Sequence, residues 1–323
     1  MKTLILIDAS SLIYRCFYAL PPLTGPDNRP SGALYGLSSV LIKILREQKP
    51  DFIAAFFDRP EPTFRKEIYK EYKIHRPKAP DELVSQIIEA RNLFKAFKIK
   101  TSECPGFEAD DLIGAAVEKL KNEPDLKIII LTGDLDALQL IENDKVVAET
   151  FKKGISETII YNEEAVKERY LGLLPNQIPD FKSLVGDPSD NILGVPGVGP
   201  KTAAPLIKKY GSLEKILKIA EEQQKEKICP PTKQGQIAES DLKKKAGPRY
   251  GVRVYQKIIK FKDQALLSKK LAIIRRDAPV DFKNLSELKH EGLPKENLEN
   301  YFEKLGFKTL IGRINNSRNN LHF

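Results

Sequence analysis

The stretch "TLILID", residues 3–8, is a short apolar run that ends on an acid, the pattern of a buried β-strand. Two further runs, "DFIAAFFD" (51–58) and "KIIILTGD" (127–134), share this pattern. Amphipathic helical patterns alternate with these runs; they cover 34–47, 81–97 and 109–121. The alternation predicts an α/β fold with a mainly parallel central sheet flanked by helices.

An aspartate stands at the end of each predicted strand: Asp8, Asp58 and Asp134. In open parallel sheets, ligands bind beyond the carboxyl ends of the strands, so neighbouring strands would bring these side chains together. The alternative is that each aspartate only begins a turn or caps a helix. Three aspartates in the same position favour a functional site.

Composition limits what such a site could be. The chain has 323 residues, 41% hydrophobic and 30% charged, and a net charge of +9, which favours an anionic partner. No apolar run has the length of a membrane span. The few cysteines and histidines are scattered, which argues against a disulfide framework, a zinc site or a histidine-based triad. A metal here would be held by oxygen.

The second half of the chain is mostly helical. Helical patterns cover 162–171, much of 175–220, 264–276 and 293–307. We therefore predict an α/β core over 1–165 and a helical module over 166–312. A Lys-, Gln- and Pro-rich insertion falls at about 221–257, and a tail without an apolar face covers 313–323.

Acids are concentrated beside strand ends and glycine turns. They are Asp8, Asp58, Glu108, Asp110, Asp111, Asp134, Asp136, Asp187 and Asp190. A helix dipole stabilises one surface acid by under about 1 kcal/mol. Two carboxylates about 4 Å apart repel by roughly 4 kcal/mol at an effective dielectric near 20, so converging acids would need cations. Carboxylates in a basic protein indicate phosphoester chemistry with two metal ions about 4 Å apart.

Several motifs resemble the flap-endonuclease or 5′ nuclease family, which includes the 5′ nuclease domain of bacterial DNA polymerase I. They are "LILIDASSLIYRCFYAL", "FFDRPEPTFRKEIYKEYKIHRP", "PGFEADDLIG", "LTGDLDALQL", "VGDPSDNILGVPGVGPKTA" and "YGSLEKIL". They span about residues 1–220, and the resemblance resumes over about 260–312. It implies a PIN-like or resolvase-like core, a helical arch within about 64–100 and a C-terminal helix-hairpin-helix module. The full 221–257 insertion departs from the family pattern.

The resemblance assigns all nine acids as metal ligands. It implies that the five from Asp8 to Asp111 surround one ion and that the remaining four surround the second. The implied cofactor is Mg²⁺, two or more ions, with Mn²⁺ able to substitute.

Basic and aromatic residues match the family as well. Lys73 and Arg76 correspond to its catalytic basic pair, and a cation near the scissile phosphate would stabilise developing charge. Tyr72 corresponds to an aromatic on which a terminal base stacks, and Arg15 to a phosphate contact. The alternative for Lys73 and Arg76 is an ordinary solvated basic face.

The stretch "GVPGVGPKTA" (194–203) resembles a helix-hairpin-helix turn. Glycines let the backbone approach a phosphate, and the N–H groups that open the next helix point at it. The implied DNA-binding residues are Gly194, Gly197, Gly199, Lys201 and Thr202. The family also suggests a K⁺ ion at this turn.

The expected function is that of a divalent-metal-dependent 5′→3′ exonuclease and flap endonuclease. The expected substrates are DNA with 5′ flaps or ends and RNA primers, and we expect a cytoplasmic monomer that does not bind membranes. Two alternatives stay open: a PIN-type ribonuclease and a non-catalytic DNA-binding protein. The sequence also leaves open whether the chain is free-standing or part of a longer polymerase.

Overall fold

A computed structural model describes residues 1–228 and 252–316. The chain forms two compact units. The first contains Met1–Glu67, Pro77–Glu163 and the described residues from Ile274 onward. The second contains Ile68–Arg76 and the described part of Glu164–Ile273. No helix in the described ranges combines the length and apolar character that a membrane crossing requires.

The first unit is built on a six-stranded sheet. The strands are β1 (Lys2–Asp8), β2 (Phe52–Phe56), β3 (Lys100–Ser102), β4 (Leu126–Leu131), β5 (Val146–Lys153) and β6 (Glu157–Tyr161). Their order is β3-β2-β1-β4-β5-β6, with β1 to β5 parallel and β6 antiparallel to β5. The predicted mainly parallel α/β fold is therefore confirmed.

Helices alternate with the strands in the first part of the chain and dominate afterwards. In chain order they are α1 (Ala9–Ala19), α2 (Gly32–Glu47), α3 (Phe64–Ile68), α4 (Asp81–Ala96), α5 (Ala109–Leu120), α6 (Glu163–Arg169), α7 (Ile178–Val185), α8 (Pro200–Tyr210), α9 (Leu213–Ile228), α10 (Val252–Lys260), α11 (Lys262–Ala272), α12 (Lys295–Leu305) and α13 (Lys308–Asn315). Short 3₁₀ helices cover Leu135–Leu140, Pro175–Gln177 and Leu285–Leu288.

The core of the first unit joins segments that are far apart in the sequence. One face of the sheet packs on α1, α2 and α4, and the buried side chains of α12 and α13 complete the same cluster. Phe302 and Ile314 are fully buried there. The chain thus returns to the first unit at Ile274, whereas the predicted helical module extends to residue 312.

Helices α7 to α11 form the second unit around their own apolar cluster, which includes Leu184, Ala204, Ile216 and Ile258. Of the predicted insertion at 221–257, residues up to Ile228 belong to α9 and those from Val252 to α10. The rest lies outside the described residues.

Two local predictions differ from the structure. In the stretch predicted as an arch, α3 is short, no helix covers 69–80, and α4 buries Leu83 and Phe94 in the first core. In the predicted tail, residues 313–315 continue α13 because Ile314 is buried; residues 317–323 lie outside the described part of the chain.

Candidate active site

Asp8 lies at the centre of the sheet's carboxyl edge, where β1 leads into α1. Its carboxylate caps α1 by accepting a hydrogen bond from the Ser11 N–H at 2.9 Å. The other carboxylate oxygen accepts from the Thr132 hydroxyl, beyond β4, at 2.8 Å. Both bonds fix the carboxylate at the point where β1, β2 and β4 end.

Asp58 and Asp134 follow the neighbouring strands β2 and β4. The Asp58 N–H donates to the Ser10 hydroxyl at 2.8 Å, and its carboxylate accepts from the Ala109 N–H at 2.8 Å. The Asp134 carboxylate accepts from the Asp136 N–H at 2.9 Å and so caps the 3₁₀ helix that carries Asp136. Asp8 and Asp134 therefore do cap helices, as the alternative held, but the sheet also brings all three acids to one edge.

Electrostatics show that these carboxylates interact. Burial, together with the charges of Asp58 and Asp134, raises the pKa of Asp8 to about 7, and this rise outweighs the lowering effect of its hydrogen bonds from Ser11 and Thr132. A carboxylate with such a pKa is destabilised by burial and by its neighbours, and it gains from a nearby cation.

The acids of α5 contact a buried arginine. Asp111 is fully buried, and its carboxylate accepts hydrogen bonds from both terminal nitrogens of Arg65, at 2.6 and 2.8 Å. The Glu108 carboxylate lies 3.5 Å from the same guanidinium. Burial opposes the charge of Arg65, but Asp110, Asp111 and Glu108 hold its pKa well above the usual value.

In the second unit, the loop after α7 carries Asp187 and Asp190. Paired backbone hydrogen bonds between Asp187 and Ile192 close this loop. The Lys182 ammonium lies 2.5 Å from the Asp187 carboxylate. Burial raises the pKa of Asp187, but the charge of Lys182 and the hydrogen bonds from Lys182 and Ser189 together hold that pKa below the usual value.

Asp190 brings the predicted catalytic basic residues together. Arg76 reaches its carboxylate at 2.7 Å, and the Lys73 ammonium lies 4.0 Å away. The Tyr72 hydroxyl donates to the same carboxylate at 3.0 Å. The Tyr72 ring is buried in a cluster with Leu271, so base stacking on this ring would require it to leave the cluster.

Arg15 lies on α1, two turns beyond Asp8. Its side chain donates to the carbonyls of Phe151 and Gly154 at 3.2 and 2.7 Å, and its guanidinium stacks on the Phe151 ring. A phosphate contact by Arg15 therefore stays a prediction, one that competes with these bonds to the β5–β6 hairpin.

The residues predicted to form a helix-hairpin-helix turn surround the start of α8. Gly194 and Gly197 have φ angles of +63° and +77°, which side chains rarely adopt. A Cβ at Gly194 would overlap the Gly186 backbone, whereas a Cβ at Gly199, the N-cap of α8, would meet open space. Lys201 and Thr202 follow in the first turn of α8.

Comparison with known proteins identifies the family. A match to the 5′-3′ exonuclease N-terminal resolvase-like domain covers residues 3–171, and a match to the C-terminal SAM fold of the same family covers 173–296. The chain belongs to the 5′-3′ exonuclease family.

Two curated relatives illustrate the relationship. A DNA polymerase I of Bacillus subtilis is 39% identical over 313 residues, which is 97% of this chain and 32% of that protein. A 5′-3′ exonuclease of Aquifex aeolicus is 41% identical over 226 residues, 70% of this chain and 76% of that protein. The chain thus spans about a third of the polymerase relative's length.

Solved structures of flap nucleases share the fold. The D15 flap endonuclease of bacteriophage T5, solved with DNA and metal ions, has a TM-score of 0.61 at 20% identity, over 84% of this chain and 89% of that one. The catalytic core of Rad2 in complex with DNA substrate has a TM-score of 0.61 at 16% identity, over 97% and 91% of the two chains.

Uncharged residues hold the acids at the strand ends in place, and the sequence pattern did not reveal these uncharged residues. Ser10 and Ser11 on α1 bind Asp58 and Asp8, and the Thr132 hydroxyl connects Asp8 with the Asp134 N–H. Gly133 leaves room for Ser11, since a Cβ there would lie 2.6 Å from the Ser11 hydroxyl oxygen. The motif "LTGD" contains two of these residues, but only the strand order shows what they contact.

As the side chains stand, no three His, Cys, Asp or Glu residues within 1–228 and 252–316 are grouped so as to hold a metal ion. The structure brings Asp8, Asp58 and Asp134 into electrostatic contact, and places Glu108, Asp110 and Asp111 together at the start of α5. Asp187 and Asp190 share one loop of the second unit.

Proposed function

We propose that this chain is a divalent-metal-dependent 5′→3′ exonuclease and structure-specific flap endonuclease that hydrolyses DNA near 5′ ends. The observation that carries the proposal is the convergence of Asp8, Asp58 and Asp134 at the carboxyl edge of a parallel sheet. Family membership supports the reaction class, because the matching family is one of 5′-3′ exonucleases.

The donor chemistry of the first unit fits a hard divalent cation. Carboxylate oxygens are the ligands that Mg²⁺ and Mn²⁺ prefer, and an ion would offset the burial and the mutual repulsion that together raise the pKa of Asp8. We propose that the ion-binding residues are Asp8, Asp58, Glu108, Asp110, Asp134 and Asp136. For Asp187 and Asp190 the proposal rests on the sequence resemblance alone.

A bound divalent ion would lower the pKa of a water molecule and neutralise charge on the phosphate. The protein's part is to fix the carboxylates. Ser11 and Thr132 hold both oxygens of Asp8, and Ala109 holds Asp58, so neither side chain needs to reorganise when substrate arrives. In hydrolysis, water forms a bond to phosphorus while the bond to the 3′ oxygen breaks, leaving 5′-phosphate and 3′-hydroxyl products.

Lys73 and Arg76 supply positive charge in this proposal. Both are bound to Asp190, which neutralises part of their charge and holds their side chains in place. A phosphate that displaces Asp190 would accept two hydrogen bonds from the Arg76 guanidinium and one from the Lys73 ammonium. These cations would stabilise the charge that develops during cleavage.

The turn at Gly199 and α8 would hold a DNA backbone phosphate. The open space at Gly199 and the positive end of the α8 helix dipole suit an anion, with Lys201 in the first turn of this helix. Such contacts recognise the backbone without reading its sequence. A K⁺ ion at this turn, RNA primers as substrates, a monomeric state and a cytoplasmic location are further parts of the proposal.

Cleavage of a 5′-labelled flap duplex in Mg²⁺ and in EDTA tests the proposal, with a blunt duplex and a single strand beside it. We expect Mg²⁺-dependent cutting at the flap junction, and the size of the product separates flap cutting from exonuclease activity. Asp8→Asn should lower the rate by at least about 100-fold. Asp144→Asn, an exposed acid just before β5, is the matched control and should cleave like wild type.

Binding of the flap without cutting, in both Mg²⁺ and Mn²⁺, would contradict the proposal and favour a non-catalytic DNA-binding protein. Cutting of single-stranded RNA in preference to the DNA flap would favour a PIN-type ribonuclease instead.

A further inference from the structure

The Asp111 carboxylate accepts hydrogen bonds at both of its oxygens. One oxygen accepts from Arg65 at 2.6 Å and from the Glu108 N–H at 3.1 Å. The other oxygen accepts from Arg65 at 2.8 Å and from the Arg275 N–H at 2.8 Å. An ionised carboxylate has about four lone-pair sites, and here each one meets a donor.

The partner of Asp111 is as deeply buried as Asp111 itself. Arg65 is 1% exposed and Asp111 0% exposed, so neither charge is screened by water. A buried ion pair is retained only while both partners are present, because removing one leaves an uncompensated charge. A metal ion that displaced Arg65 would leave its guanidinium buried without an opposite charge. The pair therefore excludes a metal ion from the Asp111 carboxylate.

Three segments of the first unit meet at this carboxylate. Arg65, on α3, is 46 residues before Asp111, and Arg275 is 164 residues after it. Gly114 lets the returning chain approach α5, since a Cβ at this position would lie 2.5 Å from the Arg275 carbonyl oxygen. Asp111 is thus the point that joins α3, α5 and the segment that begins at Ile274.

We propose that Asp111 is a positioning residue: it anchors Arg65 and the Arg275 backbone to the start of α5, and it is not a metal ligand. This inference rests on the proposed function for the identity of the ions. The anchor sets the orientation of the first turn of α5 and therefore the placement of Glu108 and Asp110, which belong to the proposed ligand set.

The first test counts bound ions. Mn²⁺ binding is measured by electron paramagnetic resonance for wild type, Asp111→Asn and Arg65→Gln. Arg65→Gln is the matched control because it breaks the same pair but keeps every acid. We expect all three proteins to bind the same number of ions, with the two variants weakened alike. Loss in Asp111→Asn of an ion that Arg65→Gln keeps would overturn the proposal.

The second test uses the double variant Arg65→Gln/Asp111→Asn. Each single change leaves one buried charge unpaired, so we expect the double variant to have a higher Tm in EDTA than either single variant. Flap cleavage by Asp111→Asn should also rise when Arg65→Gln is added. If Asp111 were a metal ligand, removing Arg65 would not replace the lost ligand and cleavage would not rise. A double variant whose Tm drop equals the sum of the two single drops would overturn the anchor.

A milder change covers the case in which Asp111→Asn does not fold. Arg65→Lys keeps the charge but not the two-nitrogen contact, and we expect slower cleavage with an unchanged number of Mn²⁺ ions. Wild-type rates in Arg65→Lys would overturn the positioning role. Failure of the wild-type protein to cleave contradicts the proposed function instead, and the Tm comparison in EDTA still tests the anchor.

Discussion

Asp8 combines a structural and an electrostatic task in one side chain. As the N-cap of α1 it accepts from Ser11, which satisfies one of the unpaired donors of that helix. As a buried acid near Asp58 and Asp134 it destabilises the fold whenever it is ionised without a cation. The residue that begins a helix therefore also makes the metal-free protein sensitive to pH.

The sign of this effect follows from the raised pKa of Asp8, about 7 in the folded protein against a usual value of 3.8. Between these values the folded state binds a proton that the unfolded state does not, so stability in EDTA falls as pH rises. We expect Asp8→Asn to have a higher Tm than wild type, by a difference that grows from pH 5 to pH 7, at about 2–4 °C per kcal/mol. Thermal unfolding followed by circular dichroism measures it.

Asp144→Asn is the control for this measurement, since it makes the same substitution at an exposed acid just before β5. A Tm difference between Asp8→Asn and wild type that stays constant with pH would show that Asp8 does not titrate in this range.

At the scale of elements, the backbone of the segment that begins at Ile274 lies unusually close to α5, in addition to the side-chain packing between them. Gly114 faces Ile274 and the Arg275 carbonyl, and a Cβ would lie 2.7 and 2.5 Å from atoms of these residues. Because backbone cannot yield as a long side chain does, the helix and the returning segment would have to separate.

We expect Gly114→Ala to destabilise the protein by about 1–3 kcal/mol, in the range of overpacked cores. Gly312→Ala is the matched control, because Gly312 is an exposed helical glycine with nothing within 4 Å of its added Cβ. That change should stabilise by about 0.5–1 kcal/mol through helix propensity. Urea unfolding measures both; equal effects of the two changes would contradict the close approach at α5.

At the scale of the whole molecule, the first unit depends on residues from both ends of the chain. Phe302 on α12 is fully buried and packs edge-on against Phe97, which follows α4. Phe307 packs in the same way on Tyr35 of α2. The last described helices are therefore part of the core that supports the sheet.

Phe302→Ala should lower the free energy of unfolding by about 3–5 kcal/mol, the cost of removing a buried aromatic side chain. Tyr18→Ala removes an aromatic that is 67% exposed and should change stability by no more than about 0.5 kcal/mol. Chemical denaturation compares the two. A small effect of Phe302→Ala would mean that α12 does not contribute to the first core.

The net charge of +9 predicts salt-dependent binding of DNA. Each neutralised phosphate contributes about 0.9 to the slope of log affinity against log salt, so duplex binding should weaken at least about tenfold between 50 and 200 mM salt. Fluorescence anisotropy in EDTA measures this slope without cleavage. Lys201→Ala should reduce the slope by about one, whereas Lys289→Ala, an exposed control residue in the first unit, should leave it unchanged.

Local sequence patterns were sufficient for β1, β2 and β4 and for the family of the chain, whereas they did not predict β3, β5 or β6. The apolar runs that end at Asp8, Asp58 and Asp134 form β1, β2 and β4, because runs this short, bounded by polar residues, suit a buried strand better than a helix. Their parallel pairing then brings the three acids to one edge, as the strand pattern predicted.

By itself the sequence determined the α/β class, the position of the acids at strand ends and the basic character that suits DNA, since these depend on neighbouring residues and composition. Only the tertiary structure decided which acids are paired with basic side chains. Asp111 and Arg65 are 46 residues apart, and Arg15 meets a carbonyl 139 residues away. Such pairings arise from the order of strands and the return of the chain, so no local pattern contains them.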